Sequence, residues 1–311
     1  MQPISTASTW SSALLNLTQA EQQQSTAQNQ VSSGEVSQDL SGYGQSAETI
    51  TAMQASQSRL QGFITAGGAL TNTLTDQATA LTQVANGGTA ARQAVTDAIA
   101  SGSASGLMQA LQTQYQQVTG GLNSQSNGVY IFGGGRTDQP PVSVTDLSTL
   151  ATMASPPTAA FQNGQFVSSS QVDESTTIQT GMLADNVGTS LTTVFQNIAA
   201  YDAGPNGPLS GQLTQTQISF LQGQLSAFDS ADTTVTSFQA QNGASQQTVS
   251  NAVTDQTNQS TTLQNLVNGR TQVDMATALS NLSQAQNAVQ ASAQVLASLQ
   301  NDSLLKILPV S

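Results

Sequence analysis

Apolar side chains recur at alternating spacings of three and four residues at both ends of the chain. The stripe near the start consists of Trp10, Ala13, Leu17, Ala20, Gln24, Ala27 and Val31. The stripe near the end consists of Leu279, Leu282, Gln286, Val289, Ala293, Leu296, Gln300, Ser303 and Ile307. Spacing of this kind places one narrow apolar seam along a helix, and such a seam needs a partner helix. The pattern therefore predicts that the terminal helices pair, with each other or with neighbouring molecules.

The larger side chains of these stripes are the candidate assembly residues. They are Trp10, Leu17, Val31, Leu279, Leu282, Val289, Leu296 and Ile307. Gln24, Gln286 and Gln300 occupy the same stripes beside small alanines. Because an interface of alanine and glutamine hardly offsets the entropy lost on ordering, we expect the ends to be mobile in the monomer and to order on assembly. The alternative is an ordinary helical bundle, since every such bundle shows apolar stripes.

The rest of the pattern predicts further helices with glycines at their ends. The predicted spans are residues 5–33, about 46–86, about 90–100, 107–118, about 190–201 and, in a stretch without proline, 209 to about 305. Gly34 and the Gly87-Gly88 pair are predicted helix ends, and Gly243 and Gly269 are predicted joints. Gly67-Gly68 lies inside the second span and indicates a break or a point of close packing.

The sequence pattern changes in the middle of the chain, where residues 128–185 predict a small β-rich insert. Val129 to Phe132 form a β-prone run between glycines, and four prolines after it exclude a long helix. The sequence from Phe161 to Phe166 contains Asn163-Gly164, which favours a type I′ turn. We therefore expect a hairpin in which Phe161 and Phe166 face each other.

Together these elements predict a mainly α fold. We expect an elongated helical bundle or coiled coil formed by the paired N- and C-terminal regions, with the β-rich insert in the middle. The predicted domains are residues 1–36 and 273–311 as the two halves of a terminal helical domain, 37–127 with 186–272 as a helical bundle, and 128–185 as the insert.

Composition narrows the possible functions. The chain has 311 residues, of which 7% are charged and 4% aromatic, so thin apolar stripes suit it better than one large core. A net charge of −12 disfavours binding to nucleic acid or to an anionic membrane. Without cysteine or histidine, the chain offers no thiolate, zinc cluster or imidazole base. We expect no enzyme activity, no cofactor and no metal, and the N-terminus shows no signal peptide pattern.

Four parts of the chain resemble small-molecule sites, and each is better interpreted in another way. Gly133 to Arg136 is glycine-rich but lacks the Lys-Ser/Thr ending of a phosphate loop, which favours a turn. Asp173-Glu174 and the pair Asp229 and Asp232 are candidate acid–base carboxylates, for which solvated surfaces are the better interpretation. The loop 202–208 has too few carboxylates for calcium.

The C-terminal stripe also carries a resemblance to a known family. Residues 273–282 (VDMATALSNL), then Gln290-Ala291-Ser292 and Ser303-Leu304-Leu305, resemble the pattern of the bacterial flagellin superfamily in order and spacing. Ser5-Thr6 and the segment Val31 to Gly34 fit the first helix of that family and its end. The resemblance covers about the first 140 and last 120 residues. Glu35 and the segment 39–44 depart from the basic residue and turn that family members carry after the Ser-Gly.

Within the superfamily, residues 128–134 (GVYIFGG) and 137–141 (TDQPP) are most similar to the hook-associated protein 3 family, which joins hook to filament. That resemblance implies a structural subunit exported unfolded through the flagellar type III apparatus with its chaperone. The partners implied are further copies of the chain in a ring or tube, another hook-associated protein, and flagellin. The location implied is the flagellum, outside the cell. A flagellin that forms the filament itself remains open, as does an unrelated secreted coiled-coil adhesin or phage tail component.

Overall fold

The computed structural model describes residues 3–136 and 138–305, and these form a mainly helical chain. The helices are α1 (Pro3–Ser33), α2 (Ala47–Ser101), α3 (Leu107–Leu122), α4 (Leu147–Ala151), α5 (Ala184–Asp202), α6 (Gln215–Thr271) and α7 (Met275–Leu305). The strands are β1 (Gln125–Ser126), β2 (Val129–Tyr130), β3 (Ser169–Gln171) and β4 (Thr177–Gln179). Short 3₁₀ helices span Leu40–Ser46 and Thr158–Ala160. The prediction of a mainly α fold with paired terminal helices and a small β-containing insert is confirmed.

The chain divides into two compact units. The terminal unit comprises Met1–Leu60 and Asn258–Ser311, and the central unit comprises Gln61–Thr257. Helices α2 and α6 contribute residues to both units. The finer division predicted from the sequence, with boundaries at 36, 127, 185 and 272, stays a prediction.

In the terminal unit, α1 packs against α7. Helix α1 ends where Gly34 adopts a φ of 74°, a left-handed conformation that a glycine adopts without a steric cost. A short antiparallel bridge between Glu35 and Gln272 then joins the two chain segments. Its hydrogen bonds run from the Val36 N–H to the Thr271 carbonyl (2.7 Å) and from the Val273 N–H to the Gly34 carbonyl (2.9 Å). The predicted end of the first helix at Gly34 is correct.

The core of the central unit is built from α2, α3, α5 and α6. Its largest buried side chains include Tyr115, Phe195 and Phe228, whose rings pack in series with centroid distances of 5.3 Å and 5.8 Å. The Tyr115 hydroxyl donates to the Val144 carbonyl at 2.8 Å, which ties α3 to the insert. Burial of the ring raises the pKa of Tyr115 above its ordinary value, and the nearby Asp146 carboxylate raises it further.

Gly87 and Gly88 do not end α2, as the sequence predicted; they lie inside it. A Cβ at Gly87 would lie 2.7 Å from Val118 Cγ2, and one at Gly121 would lie 2.8 Å from Val84 Cγ2. These glycines therefore let α2 and α3 approach closely, and packing offsets their poor helix propensity. The predicted joints at Gly243 and Gly269 are also wrong, because α6 continues through both.

The insert contains two short antiparallel hairpins, but not the one predicted. Strand β3 pairs with β4, so that Ser169 lies opposite Gln179. Phe161 instead forms a bridge with Val142, and the Phe166 N–H donates to the Gly134 carbonyl at 3.2 Å. The predicted pairing of Phe161 with Phe166 is wrong because distant backbone groups satisfy both segments. The run at Val129 does form a strand, β2, which pairs with β1.

Candidate assembly surface

The predicted stripe of α1 lies on the buried side of that helix. Trp10, Leu17 and Val31 are half-buried. Between them, Ala13, Ala20 and Ala27 are 8%, 5% and 4% exposed. Since α1 packs against α7, this stripe faces the partner helix of the same chain. Small alanines at alternate positions let the two helix backbones approach closely.

Helix α7 carries the matching stripe. At every second position of this stripe, the residue that faces α1 lies one position before the predicted residue. Its buried and half-buried residues are Ala278, Leu282, Ala285, Ala288, Val289, Ser292, Leu296 and Leu299. The predicted stripe shares Leu282, Val289 and Leu296 with this set. At the other positions, where this set has Ala278, Ala285, Ser292 and Leu299, the prediction was different. The predicted stripe has Leu279, Gln286, Ala293 and Gln300 there, and these residues are exposed. Ile307 lies outside the described residues.

These residues define a second stripe on α7. We call Leu279, Gln286, Ala293 and Gln300 the outer stripe of α7. Adjacent positions in a helix are about 100° apart, so the outer stripe lies beside the stripe that faces α1. Met275 precedes the outer stripe by one turn, and Met275 and Leu279 are 44% and 52% exposed. In the described chain Met275 and Leu279 therefore each leave about half of their surface exposed.

Charge is nearly absent from both terminal helices. The sequence of α1 contains one charged residue, Glu21, and that of α7 contains one, Asp302. A groove of about 820 Å³ between the two helices is lined mostly by amide side chains, including Gln19, Gln23 and Gln284. Association through these helices must therefore rest on apolar packing and amide hydrogen bonds, with little contribution from ion pairs.

The other candidate sites have structural roles. Gly133 to Arg136 form a turn closed by the Arg136 N–H and the Gly133 carbonyl (3.1 Å), as predicted. Asp173 accepts from the backbone N–H groups of Ser175 and Thr176, both at 2.7 Å, and closes the β3–β4 turn. The first of these bonds is the main reason that the pKa of Asp173 lies below its usual value.

Two further candidate carboxylates, Asp229 and Asp202, are also held by neighbours within the chain. Asp229 forms an ion pair with Arg92, whose Nε lies 2.6 Å from Oδ1. Asp202 accepts from the Leu209 N–H at 2.7 Å and closes the loop that follows α5. Among residues 3–136 and 138–305, no three carboxylates converge into a group that could hold a metal ion.

The fold and this surface define a class of protein whose terminal helices pair and present an exposed, uncharged stripe. Residues 225–308 match the family model described as the bacterial flagellin C-terminal helical region. That match covers most of α6 and α7, the helices that carry the C-terminal stripe. The resemblance to the bacterial flagellin superfamily that the sequence predicted is confirmed.

Two solved structures have a similar fold. A protein of Vibrio parahaemolyticus, described as a flagellar hook-associated protein, matches with a TM-score of 0.59 and 16% identity, over 75% of this chain and 99% of the other. FlgL of Bacillus cereus matches with a TM-score of 0.52 and 15% identity, over 70% of this chain and 97% of the other. The search of curated proteins gave no match.

No helix in the part of the chain that the structure describes is both long and apolar enough to cross a membrane.

Proposed function

We propose that the chain is a structural subunit of the bacterial flagellum that acts at the hook–filament junction, as a hook-associated protein 3. The observation that carries this proposal is the fold, which matches 99% of a chain described as a flagellar hook-associated protein and 97% of FlgL. The flagellin C-terminal match over 225–308 supports the same assignment. The role is structural, without catalysis.

The proposed mechanism uses the two stripes of α7 in different contacts. Trp10, Leu17 and Val31 of α1 pack with Leu282, Val289 and Leu296 of α7 within one subunit. Leu279 and the rest of the outer stripe pack against a neighbouring copy. Full burial of a leucine side chain stabilises by about 1.5–3 kcal/mol, so one contact is weak, but repetition around a ring makes the assembly stable. The terminal helices order fully in that assembly.

The proposed location and partners follow from this role. The subunit lies in the flagellum, outside the cell, and leaves the cell through the flagellar type III export apparatus with an export chaperone. Its partners are further copies of itself, another hook-associated protein on the hook side, and flagellin on the filament side. The nearly charge-free terminal helices suit a contact between like subunits, because each copy has a net charge of −12 that would oppose a charged interface.

A second candidate, flagellin itself, is favoured by one observation. The matching family model describes the C-terminal helical region of flagellin, so the match at 225–308 fits a filament subunit as well as a junction protein.

Deletion of the gene distinguishes these functions. Loss of a junction protein leaves hooks intact while unpolymerised flagellin accumulates in the medium, and this is the result we expect. Loss of the sole flagellin would instead leave hooks with no such protein in the medium. Normal filaments, or export of the chain from a strain without the flagellar export apparatus, would contradict both candidates and favour an unrelated secreted protein.

A further inference from the structure

Buried amide side chains connect α2, α6 and the β3–β4 hairpin within the central unit. Gln246 Nε2 donates to Asn242 Oδ1 at 2.7 Å, and Asn242 Nδ2 donates to Gln77 Oε1 at 2.9 Å. Gln77 Nε2 then donates to the Thr180 carbonyl of the hairpin at 2.9 Å. Gln246 Nε2 also donates to the Leu74 carbonyl of α2 at 3.0 Å. We call Gln77, Asn242 and Gln246 the amide relay.

Two members of the amide relay are removed from solvent, the third, Gln246, is half-buried, and the donors all point the same way. Gln77 is 2% exposed and Asn242 is 1% exposed. Each amide donates a hydrogen bond to the next group, from α6 through α2 to the hairpin. Because these hydrogen bonds all run in one direction, they polarise one another. A buried amide that loses its partner has no water to replace it, and it then carries the full cost of desolvation.

The apolar contacts beside the relay are few. Leu74, Val172 and Val249 form a small buried cluster, with Leu70, Ile178, Ala252 and Val253 packed around it. Apolar packing is not directional, and α2 and α6 are rich in alanine, threonine, serine and glutamine. The larger core that α2 and α6 share fixes their packing elsewhere, whereas around the relay a shift of one helix by a turn, about 5.4 Å, would lose little local apolar contact. The same shift would place every relay donor beyond hydrogen-bond distance of its acceptor.

We propose that the amide relay is the register lock of the part of the central unit beside the hairpin, where it selects one alignment of α2, α6 and the hairpin. Satisfied buried amides contribute little net stability, whereas unsatisfied ones cost much. The relay therefore acts mainly against shifted alignments. Gln77 is its central member, because it is the one side chain of the three that bonds to both α6 and the hairpin.

The natural chain has no cysteine, so two introduced thiols can report the alignment directly. A Cβ built at Gly67 lies 3.9 Å from the Cβ of Val253, a separation that suits a disulfide. Val253→Cys also removes the methyl group that a side chain at Gly67 would meet. The reporter chain therefore carries Gly67→Cys and Val253→Cys, and mild oxidation measures how often α2 and α6 adopt the native alignment.

The test adds Gln77→Leu, Asn242→Leu and Gln246→Leu to the reporter chain. We expect helix content by circular dichroism to be retained, the thermal midpoint to change little, and the crosslinking rate to fall about tenfold. The matched control is Gln247→Leu with Asn251→Leu, which removes an exposed amide pair of the same helix joined at 2.8 Å. The control chain should crosslink at the rate of the unmodified reporter chain.

Two results would overturn the proposal. One is crosslinking of the triple-leucine chain at the unmodified rate. The other is a triple-leucine reporter chain whose thermal midpoint falls strongly while its crosslinking rate per folded molecule stays unchanged. In that case the relay would supply stability and not alignment. Should the three leucines prevent folding, Gln77→Met alone decides: a folded chain with about tenfold slower crosslinking supports the lock, and an unchanged rate rejects it.

Discussion

Asp146 and Asp173 fix turns of the central unit through hydrogen bonds to backbone N–H groups. Asp146 caps α4 by accepting from the Thr149 N–H at 3.1 Å and from the Ser148 hydroxyl. Asp173 does the same at the β3–β4 turn with Ser175 and Thr176. For Asp146, the bond from the Ser148 hydroxyl is the largest cause of a pKa below the usual value. These bonds are stronger with the charged form of each carboxylate, which is why they lower its pKa.

The β3–β4 turn should loosen in acid. Because the pKa of Asp173 is lowered in the folded chain from its ordinary value of 3.8, its contribution to stability is complete above that value and is lost as the pH falls below it. Amide hydrogen exchange at Ser175 and Thr176 should speed up, beyond its intrinsic pH dependence, between pH 5 and pH 2, about one to two units either side of the ordinary pKa. Asp173→Asn, which keeps an acceptor oxygen without a titrating group, should remove that step. An equal step in the asparagine variant would show that another group causes it.

Glycines inside helices have two different roles in this chain. Gly121 lies where a Cβ would be 2.8 Å from Val84 Cγ2 and 2.9 Å from the Ala80 carbonyl oxygen, whereas Gly223 of α6 has open space around it.

Alanine substitutions should therefore have opposite effects at these two glycines. Gly121→Ala forces α2 and α3 apart and should destabilise the central unit by about 1–3 kcal/mol. Gly223→Ala is the control and should stabilise by about 0.5–1 kcal/mol, because alanine is the better helix former. Thermal or denaturant unfolding measures both. Similar changes for the two variants would contradict the packing role of Gly121.

At the scale of elements, helix α1 and its end at Gly34 could be predicted because the signals are local. A regular apolar spacing and a glycine at the end require no knowledge of the rest of the fold. Gly87 and Gly88 could not be interpreted correctly, because their packing partners in α3 and α5 are distant in the sequence. The predicted hairpin at Phe161 was wrong for the same reason, since Val142 and Gly134 are the backbone partners of this segment.

The choice between the two stripes of α7 also depends on tertiary structure. Ala285 and Gln286, like Ser292 and Ala293, are adjacent and similar in their suitability for a narrow seam. Local periodicity accepts either member of each pair, and only the packing of α1 selects the buried one. The amide relay had no sequence signal, because glutamine is frequent along the whole chain and nothing in the sequence shows which of these glutamines the fold buries.

A larger side chain should separate the inner and outer stripes of α7. Ala285 is 5% exposed, so Ala285→Leu should overpack the contact with α1 and destabilise it by about 1–3 kcal/mol. Ala293→Leu, in the exposed outer stripe, should change stability by less than about 0.5 kcal/mol. Hydrogen exchange across α1 and α7 of the isolated chain measures this difference. Equal protection loss in the two variants would contradict the assignment of the inner stripe.

At the scale of the whole molecule, we propose that association takes place through the terminal helices. Leu279, the leucine of the outer stripe, is exposed and takes no part in the buried contact with α1. Its neighbours along α7 are uncharged. Leu296 is half-buried toward α1, so a charge there would disturb the helix pair within one subunit as well as any contact between subunits. Leu279 therefore separates assembly from folding better than Leu296 does.

Assembly through the outer stripe of α7 is tested most directly by filament formation in a strain whose only copy of the protein carries Leu279→Asp. A charge buried between subunits has no partner, so we predict soluble, helical and exported subunits but hooks without filaments under the electron microscope, with flagellin in the medium. Asn287→Asp adds the same charge at another exposed position of α7 and should leave filaments normal. Normal filaments in the Leu279→Asp strain would contradict assembly through the outer stripe.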